Sequence, residues 1–217
     1  MISVIIPAHN EENYIVKTVE SIKNQTFKNY EIIIVDDGSS DKTADVAKGN
    51  ADFVIKLDRK SGPAAARNAG VKKSSGNMLV FLDADTLLSS KVLEEINNHK
   101  NNFDVGTCII KPDSKKLKHR IMMNLKNKLL CPFGVSNGIL FFSRENFEKY
   151  GPFNENMQKR EEGALLRTIK KNGRFAILNE PVVSSVRRFE KKGYLGIIKY
   201  WIKESLKPSK GEYEVIR

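Results

Sequence analysis

The stretch Met78-Leu79-Val80-Phe81-Leu82-Asp83-Ala84-Asp85 decides how this chain is read. Five consecutive apolar residues mark a strand covered on both faces. Two carboxylates close it, one residue apart. Side chains on a strand repeat every second residue, so Asp83 and Asp85 are expected to point to one place. No basic residue lies between them, so something positive must relieve their repulsion. A hard divalent cation, Mg²⁺ or Mn²⁺, takes oxygen ligands and often shares them with substrate phosphates. The plain alternative is a strand-end turn carrying two solvated aspartates. The surrounding sequence chooses between the two.

Working outward, residues 3–6 and 30–35 are further apolar strands, the first expected to stop at Pro7, and 52–56 is a weaker one. Between them lie three helical stretches. Residues 11–24 carry Tyr14, Ile15, Thr18, Val19 and Ile22 on one face. Residues 40–47 are expected to be capped by Ser40 or Asp41, and 63–73 has proline near its first turn. This β-α-β-α-β-α-β order predicts a parallel, Rossmann-like sheet with helices on both faces. Ligands of such sheets bind beyond the carboxyl ends of the strands. Three polar clusters follow strands there: Pro7-Ala8-His9-Asn10-Glu11, Asp36-Asp37-Gly38-Ser39-Ser40 and Asp83-Ala84-Asp85.

The second half is less regular. Helices are expected at 91–100, 115–130, 144–150 and 161–171, and strands at 103–110, 139–142 and 175–178. In 115–130, Leu117, Ile121, Leu125 and Leu129 recur every fourth residue among lysines. Such a narrow stripe reads as core-like, so this helix is expected to pack on the domain; the alternative is a basic, membrane-facing apron beside the acceptor site. A last amphipathic helix, 194–206, carries Tyr194, Leu195, Ile197, Ile198, Trp201, Ile202 and Leu206, with Lys199, Lys203 and Lys207 opposite. Its broader face, with aromatic residues at the border, suits a lipid interface.

The chain has 217 residues, 40% of them hydrophobic, and a net charge of +11. That length fits one domain. The basic balance suggests an anionic partner: nucleotide, nucleic acid or acidic membrane surface. No nucleic-acid-binding motif appears, so no nucleic acid is expected. Two distant cysteines, Cys108 and Cys131, imply no disulfide framework and a reduced, cytosolic setting. The first residues read as a strand and not a signal peptide, and no run of about 18 apolar residues is present to span a membrane.

Five motifs in order resemble a family-two, GT-A-type nucleotide-sugar glycosyltransferase over roughly residues 1–190. They are Val4-Ile5-Ile6-Pro7-Ala8-His9-Asn10-Glu11-Glu12, Val35-Asp36-Asp37-Gly38-Ser39-Ser40-Asp41, Gly62-Pro63-Ala64-Ala65-Ala66-Arg67-Asn68-Ala69-Gly70, Asp83-Ala84-Asp85, and Gly151-Pro152-Phe153-Asn154-Glu155 followed by Glu161-Glu162. The resemblance implies a GT-A fold, an activated sugar donor with UDP favoured, a divalent Mn²⁺ or Mg²⁺ ion and inversion at the anomeric carbon. It also implies a division into a donor-binding half, 1–105, and an acceptor-binding half, 106–190, followed by a basic tail, 191–217.

The residue roles follow from the same resemblance. Pro7, Ala8, His9 and Glu11 line the base end of the donor site. His9 stands where the family usually has tyrosine, and either packs on the base or is satisfied by backbone. Glu11 either contacts the base or favours a helix N-terminus. Asp36 or Asp37 accepts from the uracil ring, Arg67 forks onto phosphate or base oxygens, and Asp85 is the metal ligand. Asp83 holds the ribose or a metal-bound water, beside Ala84. Glu161-Glu162 supplies the general base, with Glu162 inheriting the role from the usual aspartate, and Arg187-Arg188 clamps the diphosphate.

A dehydrogenase is disfavoured because no G-x-G-x-x-G follows the first strand. A sugar-phosphate nucleotidyltransferase, a catalytically inactive relative or a membrane-binding module remain alternatives. The expected acceptor is a hydroxyl, lipid-linked or membrane-proximal, and the expected place is the cytoplasm, peripherally at the inner face of the cell membrane.

Overall fold

Alternation along the strands builds two cores on opposite faces of one sheet. The structure, a computed structural model, describes residues 1–157, 161–187, 189, 193, 194, 196 and 197, apart from the side chains of residues 161, 167, 171 and 172. In chain order the strands are β1 (Ile2–Ala8), β2 (Tyr30–Asp36), β3 (Phe53–Lys56), β4 (Met78–Leu82), β5 (Thr86–Leu88), β6 (Val105–Pro112), β7 (Ile139–Ser143) and β8 (Phe175–Ser184). The helices are α1 (Ile15–Lys23), α2 (Thr43–Ala47), α3 (Pro63–Lys73), α4 (Val92–His99), α5 (Leu117–Leu129), α6 (Arg144–Tyr150) and α7 (Glu161–Asn172), with a 3-10 turn at Cys131–Phe133. Among the described residues the strand order is β3-β2-β1-β4-β7-β6-β8-β5.

β3, β2, β1 and β4 are parallel, with Ile5 between Ile33 and Phe81 in register and Ala8 opposite Asp36. β7 joins β4 antiparallel and begins the mixed half of the sheet. Val4, Ile6, Ile32, Ile34, Val80 and Leu82 face one core, together with α1, α4 and α5 residues. Their odd-even partners Ile5, Ile33, Val35, Leu79 and Phe81 face the other, with Ala64 and Ala66 of α3 and Leu166 of α7. Both faces are therefore apolar, as a helix-covered parallel sheet requires. α3 comes unusually near the sheet: a Cβ at Gly70 would collide with the Ile5 side chain. Phe81, Phe142, Phe147 and Phe153 form an aromatic cluster beneath the site, Phe153 standing edge-on to Phe81 at 5.0 Å.

β1 runs through Pro7 instead of stopping there. The Ile2 amide points to the β2 side, where it donates to the Asn29 carbonyl, so alternation turns the Pro7 nitrogen toward β4. Pairing with β4 has ended at Ile5, and proline costs no ladder bond there. β5 follows the Asp83–Asp85 turn at once and pairs with β8, a long-range pairing with no local signal. Neither Ser40 nor Asp41 is the N-cap residue of α2, which is Lys42, although the Asp41 carboxylate accepts the Thr43 amide at 2.9 Å. α5 turns His119, Met122 and Met123 inward, while its leucine-isoleucine stripe is exposed. At about 100° per residue, His119, Met122 and Met123 lie on the side of the helix roughly opposite Leu117 and Ile121, so burying them leaves the stripe outward. In the C-terminal stretch, Ile197 is buried in the core and Tyr194 stacks on His119 at 5.6 Å. These two therefore turn to the domain and not to a lipid interface; most of 194–206 lies outside the described residues. Cys108 and Cys131 are both free and buried, and burial pushes the Cys131 thiol up to about 11.

Candidate active site

At the carboxyl end of β1 the chain turns through Asn10, which adopts φ 57°. Asparagine tolerates this left-handed conformation, and here its side chain explains the cost. Asn10 Oδ1 accepts the Ser40 and Asp41 amides at 2.8 and 3.3 Å, while its own amide donates to Ser39 Oγ. The loops after β1 and β2 are thus one unit. Gly38 enters this loop at φ +64°, and a Cβ there would strike the backbone of Lys60 and Arg59. His9 donates from Nδ1 to the Asp37 carbonyl at 2.8 Å and accepts from Asn10 through Nε2. Its two nitrogens are satisfied within the protein, leaving only its ring face for a ligand.

Asp36 and Asp37 have different surroundings. Asp37 accepts the Ser61 and Gly62 amides at 2.6 and 2.9 Å, one on each oxygen. It thereby anchors the start of α3. Asp36 is fully buried; Oδ1 accepts from the Ser39 amide, and Oδ2 has no hydrogen-bond partner. A buried carboxylate oxygen without a donor is costly, so Asp36 is the member of the pair suited to a ligand N–H.

Asp83 and Asp85 pair with different arginines, and both lie close enough to Glu11 to raise its carboxyl. The Thr86 amide closes back on the Asp83 carbonyl at 3.0 Å, making residues 83–86 a turn and not a strand end. Ala84, between them, is buried in the core and its carbonyl accepts from Thr18 of α1 at 2.7 Å. Asp83 faces the Arg67 guanidinium at 3.4 Å, and Asp85 faces Arg187 at 2.8 Å. Their mutual repulsion is relieved by two arginines from distant parts of the chain.

Arg187 also forks onto Glu11 at 2.8 and 3.1 Å and lies over the Tyr14 ring, 4.5 Å from its centroid. Burial alone would lower the Arg187 pKa, but the Glu11 bonds and the charge of Asp85 outweigh it and hold the guanidinium protonated. Burial raises the Glu11 carboxyl above its ordinary value, with Arg187 opposing and Asp85 and Asp83 adding to the rise. Glu11 is thus engaged by Arg187, and the first turn of α1 contains no acid.

Glu162, in the first turn of α7, pairs with Arg67, and the Ser136 hydroxyl donates to its other oxygen. The Glu162 and Arg67 side chains are 18% and 5% exposed, so this is a shielded contact. Asn68, next in α3, donates to the Phe153 carbonyl and to Glu155 and receives the Phe153 amide. That locks the Gly151–Glu155 turn, which precedes α7, against α3.

A family model described as Glycosyl transferase family 2 matches residues 3–161. The chain belongs to glycosyl transferase family 2. An uncharacterized glycosyltransferase of Rickettsia bellii is 43% identical over 96 residues, covering 43% of this chain and 14% of the relative. S. aureus TarS 1-349 in complex with UDP superimposes with a TM-score of 0.67 at 21% identity, over 97% of this chain and 67% of TarS 1-349. The mannosyltransferase PcManGT of Pyrobaculum calidifontis, in complex with GDP-Man and Mn²⁺, gives 0.67 at 16% identity, over 93% and 64%. The fold is therefore of the GT-A type. The chain spans 55% or less of the length of the first curated relatives it matches.

In this family 2 chain the structure gathers Glu11, Arg67, Asp83, Asp85, Glu162 and Arg187 into two ion-paired groups, Glu11–Arg187–Asp85 and Asp83–Arg67–Glu162. Arg188 lies outside the described residues, as does the Glu161 side chain. Pro7 is half-buried at the end of β1, and Ala8 is buried, accepting the Asp37 amide. Sequence reasoning missed Asn10, Ser136 and Asn137. Asn10 sits in a recognised motif and could have been found as the residue able to take a left-handed turn. Asn137 is buried and donates to the Cys108 carbonyl and to Asn127, which fixes the loop carrying Ser136. Neither Ser136 nor Asn137 has a local signal.

Among the described residues no group of three or more His, Cys, Asp and Glu is arranged to hold a metal. Mg²⁺ and Mn²⁺ are nevertheless commonly held by one or two carboxylates, with substrate phosphates and waters completing the shell. Asp83 and Asp85 are hard oxygen donors of that kind, and the Asp83 side chain is 39% exposed. The residues fit an ion shared with a diphosphate.

Proposed function

We propose that this chain transfers a sugar from a nucleoside diphosphate donor, with UDP favoured, to an acceptor hydroxyl with inversion. The observation that carries the reading is the single Arg67 guanidinium between Asp83 and Glu162. It ties the turn suited to the diphosphate to a carboxylate suited to the acceptor.

Glu162 acts as general base. It takes the proton of the acceptor hydroxyl as that oxygen bonds to the anomeric carbon from the face opposite the leaving group. The anomeric carbon–oxygen bond breaks, and its electron pair leaves with the terminal phosphate of the nucleoside diphosphate. Ser136 and Arg67 hold the carboxylate for this, and Glu is one methylene longer than the family's usual Asp. Asp36 receives the base N–H through its unpartnered oxygen. Asp85 and Asp83 would hold the divalent ion, which when bound offsets charge developing on the leaving diphosphate. Arg187 now occupies Asp85, so donor binding requires it to exchange Asp85 for other anionic partners; the diphosphate clamp assigned to Arg187 belongs to that later state. Residues 1–105 carry the donor elements and 106–190 the acceptor side. The UDP of TarS and the GDP-Man and Mn²⁺ of PcManGT support the donor class and the ion.

The test is release of nucleoside diphosphate from a panel of nucleotide sugars, with Mn²⁺, with Mg²⁺ and with EDTA. Metal-dependent release from a UDP-sugar supports the reading. Absence of release from every donor, with no metal-dependent stabilisation by UDP, overturns it.

A further inference from the structure

α5 presents a second surface with its own chemistry. Its inward face is satisfied: Met122 and Met123 enter the core, and His119 packs against Tyr194 and Phe189, which also touch each other. On the outer face Leu117, Ile121, Leu125 and Leu129 are 66%, 55%, 43% and 54% exposed, and Phe133 in the following 3-10 turn is 76% exposed. Single exposed apolar side chains are ordinary, but five on one helix and the turn after it mark an interaction surface. α5 itself contains Lys118, Arg120, Lys126 and Lys128 and no acidic residue, and Lys115 and Lys116 precede it.

The occupant must match both features. A second copy of the chain would set one basic helix against another. An apolar protein groove would answer the stripe and leave the cations without complement. A bilayer with anionic headgroups answers both, by taking up the apolar side chains and attracting the rim. α5 is about 20 Å long at 1.5 Å per residue, and no helix among the described residues is long and apolar enough to cross a membrane. It would lie in the plane of the interface.

α5 is also linked to the proposed base, through its inner side. Lys126 Nζ donates to the Ser136 carbonyl at 3.2 Å, and the Ser136 hydroxyl engages Glu162. We propose that α5 and Phe133 dock this protein on an anionic lipid surface, placing Glu162 beside a hydroxyl acceptor carried at that surface. The docking stands on the exposed face alone, while the acceptor class rests on the transfer reading.

Flotation of the full chain separates the possibilities. Vesicles of phosphatidylcholine alone and vesicles containing phosphatidylglycerol are compared at low and high salt, with donor hydrolysis measured without vesicles. The parent should float with the phosphatidylglycerol vesicles at low salt and be released at high salt, where the Debye length shrinks. The quadruple variant Leu117→Gln, Ile121→Gln, Leu125→Gln, Leu129→Gln should lose the bound fraction by more than about tenfold, with its thermal midpoint and donor hydrolysis unchanged. The charge variant Lys118→Glu, Arg120→Glu, Lys128→Glu should lose it too. A parent that stays soluble, or variants that float like the parent, overturn the docking. So does a quadruple variant whose midpoint falls, because the stripe is then covered by the chain itself. Failed flotation with intact hydrolysis sinks the docking only; flotation without hydrolysis sinks the transfer reading.

Discussion

Arg67 pairs with both Asp83 and Glu162, and its side chain is only 5% exposed. One guanidinium therefore joins α3, the turn after β4 and the start of α7. Removing one partner from a buried ion pair leaves uncompensated charge, costing about 3 kcal/mol. Arg67→Ala should lower the thermal midpoint clearly as well as abolish transfer. Arg67→Lys keeps the charge without the fork and should recover stability better than activity. A midpoint unchanged in Arg67→Ala, followed by calorimetry, would show that the pair contributes nothing to the fold.

Glu162→Gln keeps the shape of the side chain and removes its basicity. Transfer should fall by roughly 10²–10⁴-fold, the range for losing a general base, while stabilisation by UDP stays near the parent value. Ser136→Ala should lower transfer less, again without changing UDP binding. Equal turnover in Glu162→Gln, with Glu161→Gln inactive, would move the base one residue back. NMR of the product's anomeric centre checks inversion.

Asp85 should make donor binding metal-dependent. UDP at about 100 times its Kd should stabilise the protein by about 2.7 kcal/mol with Mn²⁺ or Mg²⁺, and much less with EDTA. Asp85→Asn should remove most of the metal-dependent part. Equal stabilisation in EDTA, measured by thermal shift, would count against the assignment.

Glu31 ties β2 to the α3–β4 connection. Burial alone would raise its carboxyl, but bonds from the Ser3 hydroxyl and from the Ser75 hydroxyl and amide, with the Gly76 amide, outweigh it and hold the group below 4.5. A depressed folded-state value contributes stability that is full above 4.5 and is lost as the pH falls through the folded value. Glu31→Gln should cost about 2 kcal/mol at pH 7 and flatten the loss of stability below 4.5. Urea denaturation at neutral and acid pH measures both. Parallel curves for parent and variant would exclude this linkage.

The sequence by itself determined the parallel half of the sheet. Continuous apolar runs such as Met78–Leu82 and residues 32–35 are best satisfied by cover on both faces, and Pro63–Lys73 was legible from proline at its start and small residues after it. It also determined which motifs meet, because parallel strands bring their carboxyl ends together. Tertiary structure alone decided the partners. That Asp83 turns to Arg67 and Asp85 to Arg187, and that Asp37 serves the α3 start while Asp36 keeps a vacant oxygen, depends on contacts between distant segments. The same holds for Ser136 on Glu162 and for the outward turn of the α5 stripe. Periodicity tells how a helix is divided into faces. Which face is buried is set by the surface it lands on, where His119, Met122 and Met123 meet the sheet and Leu117, Ile121, Leu125 and Leu129 do not.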